Sequence, residues 1–149
     1  TYLIQMRQEH AVFRRSGYLK GEASPFVKVP DIAWLRADGK RFENADWESF
    51  DTRSIGMYLG GAIATKKSEL DVVDNAFYWF LNSSDKSVDV TLPEETYGLT
   101  YQLMFNTADE RDWSAQEVLP SGTVVTLEPW SSALWMVTLL PLKVSSQAE

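Results

Sequence analysis

Helical periodicity in this chain is confined almost entirely to its first fourteen residues; after that the sequence alternates, turns and alternates again. Leu3, Met6, His10 and Phe13 recur at three- and four-residue steps, with Gln5, Arg7, Gln8, Glu9 and Arg14 elsewhere around the cylinder, so residues 1–14 read as a helix. Ser16-Gly17 ends it, Gly17 being suited to the left-handed position after a helix. Asn44 to Glu48 reads as one more turn of helix, opened by Asn44 or Asp46. The remainder reads as strands. Ile32 to Arg36 runs into Ala37-Asp38-Gly39-Lys40, where Asp-Gly signals a hairpin. Ser54 to Leu59 is closed by Gly60-Gly61, and Ala76 to Leu81 is continuously apolar, as in a central strand covered on both faces. Val88, Val90 and Leu92 alternate with Asp89 and Thr91, Tyr101, Leu103 and Phe105 with Gln102, Met104 and Asn106, and Thr123 to Leu127 and Ala133 to Leu140 supply two more. About seven short strands at a spacing of roughly ten residues make an all-β chain, an antiparallel β-sandwich preceded by one helix. The two most apolar strands are expected in its middle, with Lys66 to Asp74 and Ala108 to Gln116 as surface loops.

Several function classes are excluded by composition. With 149 residues one domain with one core suffices. The chain has no cysteine, which removes disulfides, thiolate chemistry and Cys-based zinc sites and is compatible with a reducing cytosol. A formal net charge of -7, with no basic run longer than Arg14-Arg15 or Lys66-Lys67, argues against nucleic acid and anionic membrane surfaces. No apolar stretch approaches the ~20 residues of a membrane span, and no basic-then-apolar signal-peptide order opens the chain. A beginning at Thr1 instead of Met suggests a piece of something longer.

Candidate chemistry is sparse. Retaining glycoside hydrolysis needs two carboxyls ~5–5.5 Å apart, and Glu94-Glu95 and Asp109-Glu110-Arg111-Asp112 are the nearest approximations, both in turn-like segments where charges are usually solvated. His10, the single histidine, lies on the apolar side of its helix and reads as a packed, hydrogen-bonded residue instead of a base. Glu69, Asp71 and Asp74 could offer oxygen ligands, but in no recognised spacing. No catalytic residue, metal site or cofactor is therefore assigned. Tryptophan is the stronger signal, because the flat C–H faces of sugars stack on aromatic rings. Trp34, Trp79 and Trp135 lie in strands and read as core, whereas Trp47, Trp113 and Trp130 lie in loops or near turns and are the candidate carbohydrate contacts.

The order of these pieces resembles a known family. Leu3 to Arg15 is similar to the last barrel helix of isoamylase-type members of the α-amylase superfamily, with Ala11 where the family has proline. Asp31-Ile32-Ala33-Trp34-Leu35-Arg36-Ala37-Asp38-Gly39, followed by Asp46-Trp47, is similar to the family's Asp-x-x-Trp…Asp-Gly…Asp-Trp signature. Ile55 to Gly61, Asn75 to Asn82, Val90 to Pro93 and Asn106 to Ala108 resemble its later motifs in order. The resemblance implies the non-catalytic C-terminal domain of a glycogen-debranching enzyme, one that hydrolyses α-1,6 branch linkages in the cytoplasm with carboxylates on an upstream barrel. It implies residues 1–16 as the last barrel helix, 17–53 as a connecting segment with a hairpin, 54–142 as the C-terminal sandwich and 143–149 as a tail. The implied partner is the missing catalytic barrel, whose absence would leave the Leu3, Met6 and Phe13 face open and able to pair two copies. An independent α-glucan-binding module is the alternative.

Overall fold

The two most apolar stretches of the chain, Ala76–Asn82 and Ser131–Thr138, lie side by side at the centre of a six-stranded antiparallel sheet. The structure, a computed structural model, describes residues 1–24, 27–63, 72–109 and 117–139. In chain order the elements are α1 (Tyr2–Glu9), a 3-10 turn (Ala11–Arg14), β1 (Ala23–Ser24), β2 (Val27–Pro30), β3 (Ile32–Leu35), α2 (Asn44–Glu48), β4 (Ser54–Leu59), β5 (Ala62–Ile63), β6 (Val72–Val73), β7 (Ala76–Asn82), β8 (Val88–Thr91), β9 (Thr100–Asn106), β10 (Val118–Pro120), β11 (Val124–Leu127) and β12 (Ser131–Thr138). The large sheet runs β10-β9-β12-β7-β4-β3; β8 pairs with β11 in a separate ribbon, and β1–β2 and β5–β6 are short two-stranded pieces. The chain is therefore mostly β and antiparallel.

Each face of the large sheet has its own apolar cover. On one face Tyr58, Tyr78, Phe80, Tyr101, Trp135 and Val137 meet Val90, Leu92 and Leu127 from the β8–β11 ribbon and its flanks, all of them buried. Removing side chains of this size from water contributes ~1.5–3 kcal/mol apiece, which makes this layer the main source of stability. Two hydroxyls are satisfied within it: Tyr58 donates to the Tyr97 carbonyl at 2.9 Å and Tyr101 to that of Pro93 at 3.1 Å. On the opposite face Leu59, Phe77, Met104 and Leu134 pack under Met6 of α1 and Val12 of the 3-10 turn.

Several expectations need correction. The helix expected over 1–14 breaks at His10, whose extended backbone (φ -109°, ψ 112°) separates α1 from the 3-10 turn. Gly17 does not take up a left-handed conformation; Gly21, Gly39 and Gly122 do. The Leu3, Met6 and Phe13 face is not left open as a unit, because the break at His10 turns Met6 and Val12 down onto the sheet with Phe13 beside them, leaving Leu3 exposed. Strict alternation along β9 fails at a bulge: Trp135 faces Leu103 but Leu134 faces Phe105, so Met104 is an extra residue and both Met104 and Phe105 join the α1 side. The Asp-Gly reversal forms, with Gly39 at φ +80°, but its return leg makes only a bridge from Arg41 to Leu35. Finally, β7 is fully covered on one face only: Phe77 is buried beneath the helix, but Leu81 on the same side is exposed.

Candidate functional site

The corner between β3 and α2 gathers accessible aromatic and charged side chains. Along β3, Ala33 and Leu35 point into the ribbon-side core, so the strand's alternation carries Trp34 to the other face, where it is 37 % exposed. Trp34 therefore departs from the core position expected of it, and Trp79 on the same face is half-buried; of the three strand tryptophans Trp135 alone is fully in the core. The pattern Ile32-Ala33-Trp34-Leu35 is apolar on both faces, so alternation alone does not say which face is covered. Past the Asp38-Gly39 turn the chain returns through Phe42, whose N–H donates to the Trp34 carbonyl at 2.9 Å, and enters α2. The Asp46 carboxylate accepts the Glu43 N–H at 2.8 Å, stabilising the first turn of the helix. One residue on, Trp47 meets Trp34 edge to face, with centroids 5.8 Å apart and planes at 81°, and leans on Phe42 at 4.8 Å; it remains 55 % exposed.

Beside this aromatic pair, Arg36 is held as a fork. Its Nη2 lies 2.9 Å from Asp38 Oδ2 and its Nε 3.2 Å from Asp38 Oδ1, while Nη1 is 3.6 Å from Asp46 Oδ2. The hydrogen bond to Asp38 raises the Arg36 pKa, and the same bond, with the Lys40 N–H, holds the Asp38 carboxyl below its ordinary value. Both groups therefore stay charged, and their heads are oriented without being removed from water.

Trp130 is placed elsewhere. It occupies a left-handed turn position (φ 55°) just before β12, donates its N–H to the Ser84 carbonyl at 3.2 Å and is 69 % exposed. Among the described residues it makes no ring contact with Trp47. Trp113 lies outside the described residues, as do Glu69, Asp71 and Glu110-Arg111-Asp112. Glu94 and Glu95 are exposed in a turn.

Asp74 is taken up by local structure. Its Oδ1 accepts from His10 Nδ1 at 2.9 Å and from the Asn75 N–H at 2.7 Å, and its Oδ2 accepts the Val12 N–H at 3.1 Å. Burial pushes this carboxyl up, but the bonds from His10, Val12 and Asn75 outweigh it and the net shift is downward. His10 itself is wedged against Phe77, ring centroids 4.8 Å apart. The pair pins the break after α1 to the start of β7.

A cleft of about 240 Å³ lies between β9–β10 and β11, lined by Trp135, Leu103, Asn106, Glu117 and Thr126 among others. It presents one carboxylate, too few for paired acid–base work. Among the described residues no group of three His, Cys, Asp or Glu side chains could hold a metal ion, and no helix is long and apolar enough to cross a membrane. No protein-family model matches this chain, and no curated protein is significantly similar to it.

Proposed function

We propose that this chain is the non-catalytic C-terminal domain of an isoamylase-type glycogen-debranching enzyme and that it steadies the parent's catalytic barrel. The observation that carries this reading is mechanical: the Asp31, Asp38-Gly39 and Asp46-Trp47 positions of the resemblance brace the chain on either side of β3. Asp31 accepts the N–H groups of Lys20 and Gly21 at 2.8 and 2.7 Å and so clamps that turn. Asp38-Gly39 reverses the chain, Asp46 caps α2 and Trp47 lies on Trp34. Residues that brace β3 and α2, and supply neither nucleophile nor acid, suit a supporting domain. On this reading the large sheet and the β8–β11 ribbon are the two layers of the family's β-sandwich, with residues 1–16 belonging to the last helix of the barrel. Leu3 and Ile4, outward and exposed on α1, are surface the barrel would cover, or through which two copies would pair in its absence. Hydrolysis of α-1,6 branch linkages is then the work of carboxylates on the barrel, in the cytoplasm, and the isolated chain is inactive.

The test is to mix the chain with an isoamylase-type barrel produced without its own C-terminal domain. Co-elution on size exclusion and a raised melting temperature of the barrel are expected; separate elution with an unchanged melting temperature overturns the reading. A second reading, an independent α-glucan-binding module, is favoured by Trp47 and Trp130 both being more than half exposed. Affinity electrophoresis in glycogen-containing gels tests it: retardation that is lost on changing Trp47 or Trp113 to Ala supports the module, and unchanged mobility removes it.

A further inference from the structure

We propose that the β3–α2 corner is a binding subsite for a single bend of an α-linked glucan chain, made by Trp34 and Trp47 with Arg36, Asp38 and Asp46. The choice of glucose as the sugar rests on the function proposed above; the choice of an α-linkage rests on the geometry. The two indoles meet at 81° with centroids 5.8 Å apart, so they offer aromatic surface on two sides of a corner instead of one flat shelf. A β-1,4-linked chain is a flat ribbon whose successive rings need coplanar aromatics. An α-1,4-linked chain turns at every residue, and its neighbouring rings present their C–H faces at changing angles, as a right-angled pair demands.

Polar recognition is supplied from the same corner. Vicinal sugar hydroxyls are read by planar, oriented donors and acceptors. The Arg36 guanidinium is fixed as a fork by Asp38 and drawn toward Asp46, the residue beside Trp47. These side chains are accessible yet already ordered by one another, so a ligand would have little rotamer freedom left to quench. The aromatic pair is steadied too: Trp47 rests on Phe42, and Trp34 is anchored by the antiparallel pairing of β3 with β4. Trp130, though more exposed, has no such charged fork beside it among the described residues and stands outside the subsite.

The experiment is titration of the whole ¹⁵N-labelled chain with maltoheptaose and, separately, cellohexaose, following the tryptophan indole N–H signals. Expected are fast-exchange shifts of the Trp34 and Trp47 signals with maltoheptaose and much smaller ones with cellohexaose. Trp47→Ala is expected to weaken binding about tenfold or more. Because Trp47 also props the corner, Asp38→Asn serves as a surface variant that spares the packing, with a several-fold loss expected. No shift at either indole with maltoheptaose overturns the subsite while leaving the barrel-supporting reading to stand on its co-elution test. Equal or stronger response to cellohexaose overturns the α-glucan assignment and counts against the debranching reading as well.

Discussion

Asn82 sits at the end of β7, nearly inaccessible, and uses every hydrogen-bonding position it has. Its amide nitrogen donates to the carbonyls of Lys86 at 2.9 Å and Glu128 at 3.0 Å, and its Oδ1 accepts from the Ser84 N–H and hydroxyl. One side chain thus ties the β7–β8 turn to the approach of β12. Asn82→Asp would set a carboxylate oxygen against two carbonyls, and is expected to cost about 2–3 kcal/mol in urea unfolding, against less than half of that for Ser83→Ala at the exposed neighbour. Asp74 makes a comparable knot that titrates. Its carboxyl is held below the ordinary value in the folded chain, so the unfolded chain takes up its proton first and the stabilisation is complete above the normal carboxylate range near ~3.9. Stability is lost as pH falls through the folded value. The melting temperature of the wild type should therefore drop in acid more steeply than that of Asp74→Asn, which is expected to be the less stable of the two at neutral pH. At this scale the sequence was informative about His10, whose place on an apolar helix face led to a packed, hydrogen-bonded residue, but not about its partner. Asp74 reads as one acid in an acidic stretch, and 64 residues of separation hide the pairing.

At the scale of elements, α1 is attached to the sheet by few anchors. It is short, exposes Leu3 and Ile4, and buries Met6 against Phe77, Met104 and Leu134. An isolated helix of this length is unstable in water, so tertiary packing must hold it. Met6→Ala should cost about 2 kcal/mol and, by hydrogen exchange, release the α1 amides well before those of β7. The strands at the centre of the sheet were legible because continuous apolar runs survive any choice of face. What the sequence obscured were the short pairs β1–β2 and β5–β6, the edge strand β10, and the bulge in β9. Strands of two or three residues carry too little pattern to register, and a bulge is a property of the partner strand's register as much as of its own residues. The same limit hid the β3–α2 corner. Trp47 stood out beside a turn, but Trp34 in a strand apolar on both faces could be assigned to the exposed side only once the ribbon was known to cover the other.

For the whole molecule, the two faces of the large sheet differ in kind. The ribbon side is closed over by buried aromatics, whereas the α1 side leaves Trp34 and Leu81 accessible along with Leu3 and Ile4. An apolar surface of this sort invites association. Analytical ultracentrifugation is expected to find reversible dimers at high concentration that Leu3→Ser with Ile4→Ser weakens several-fold; a strictly monomeric wild type would show that α1 is not the pairing surface. All-β character and the central pair of strands followed from alternation and spacing. The division into a six-stranded sheet and a two-stranded ribbon did not, because partner choice among similar strands depends on loop paths that composition does not encode.

The place of β12 has a further consequence for how the molecule comes into being. It is the last strand of the large sheet in sequence, yet it lies between β7 and β9 and bonds to both. A chain emerging N-terminus first can pair β3, β4 and β7, and separately bring β9 toward β10, but these two blocks share no edge until residues 131–138 arrive to join them. Until then β7 and β9 each expose a bare rim of peptide groups flanked by Phe77, Phe80 and Tyr101, the kind of rim that captures a neighbouring nascent chain. Assembly is thus deferred until residues 131–138 have been made, and the interval before β12 is delivered is when a chaperone would matter most.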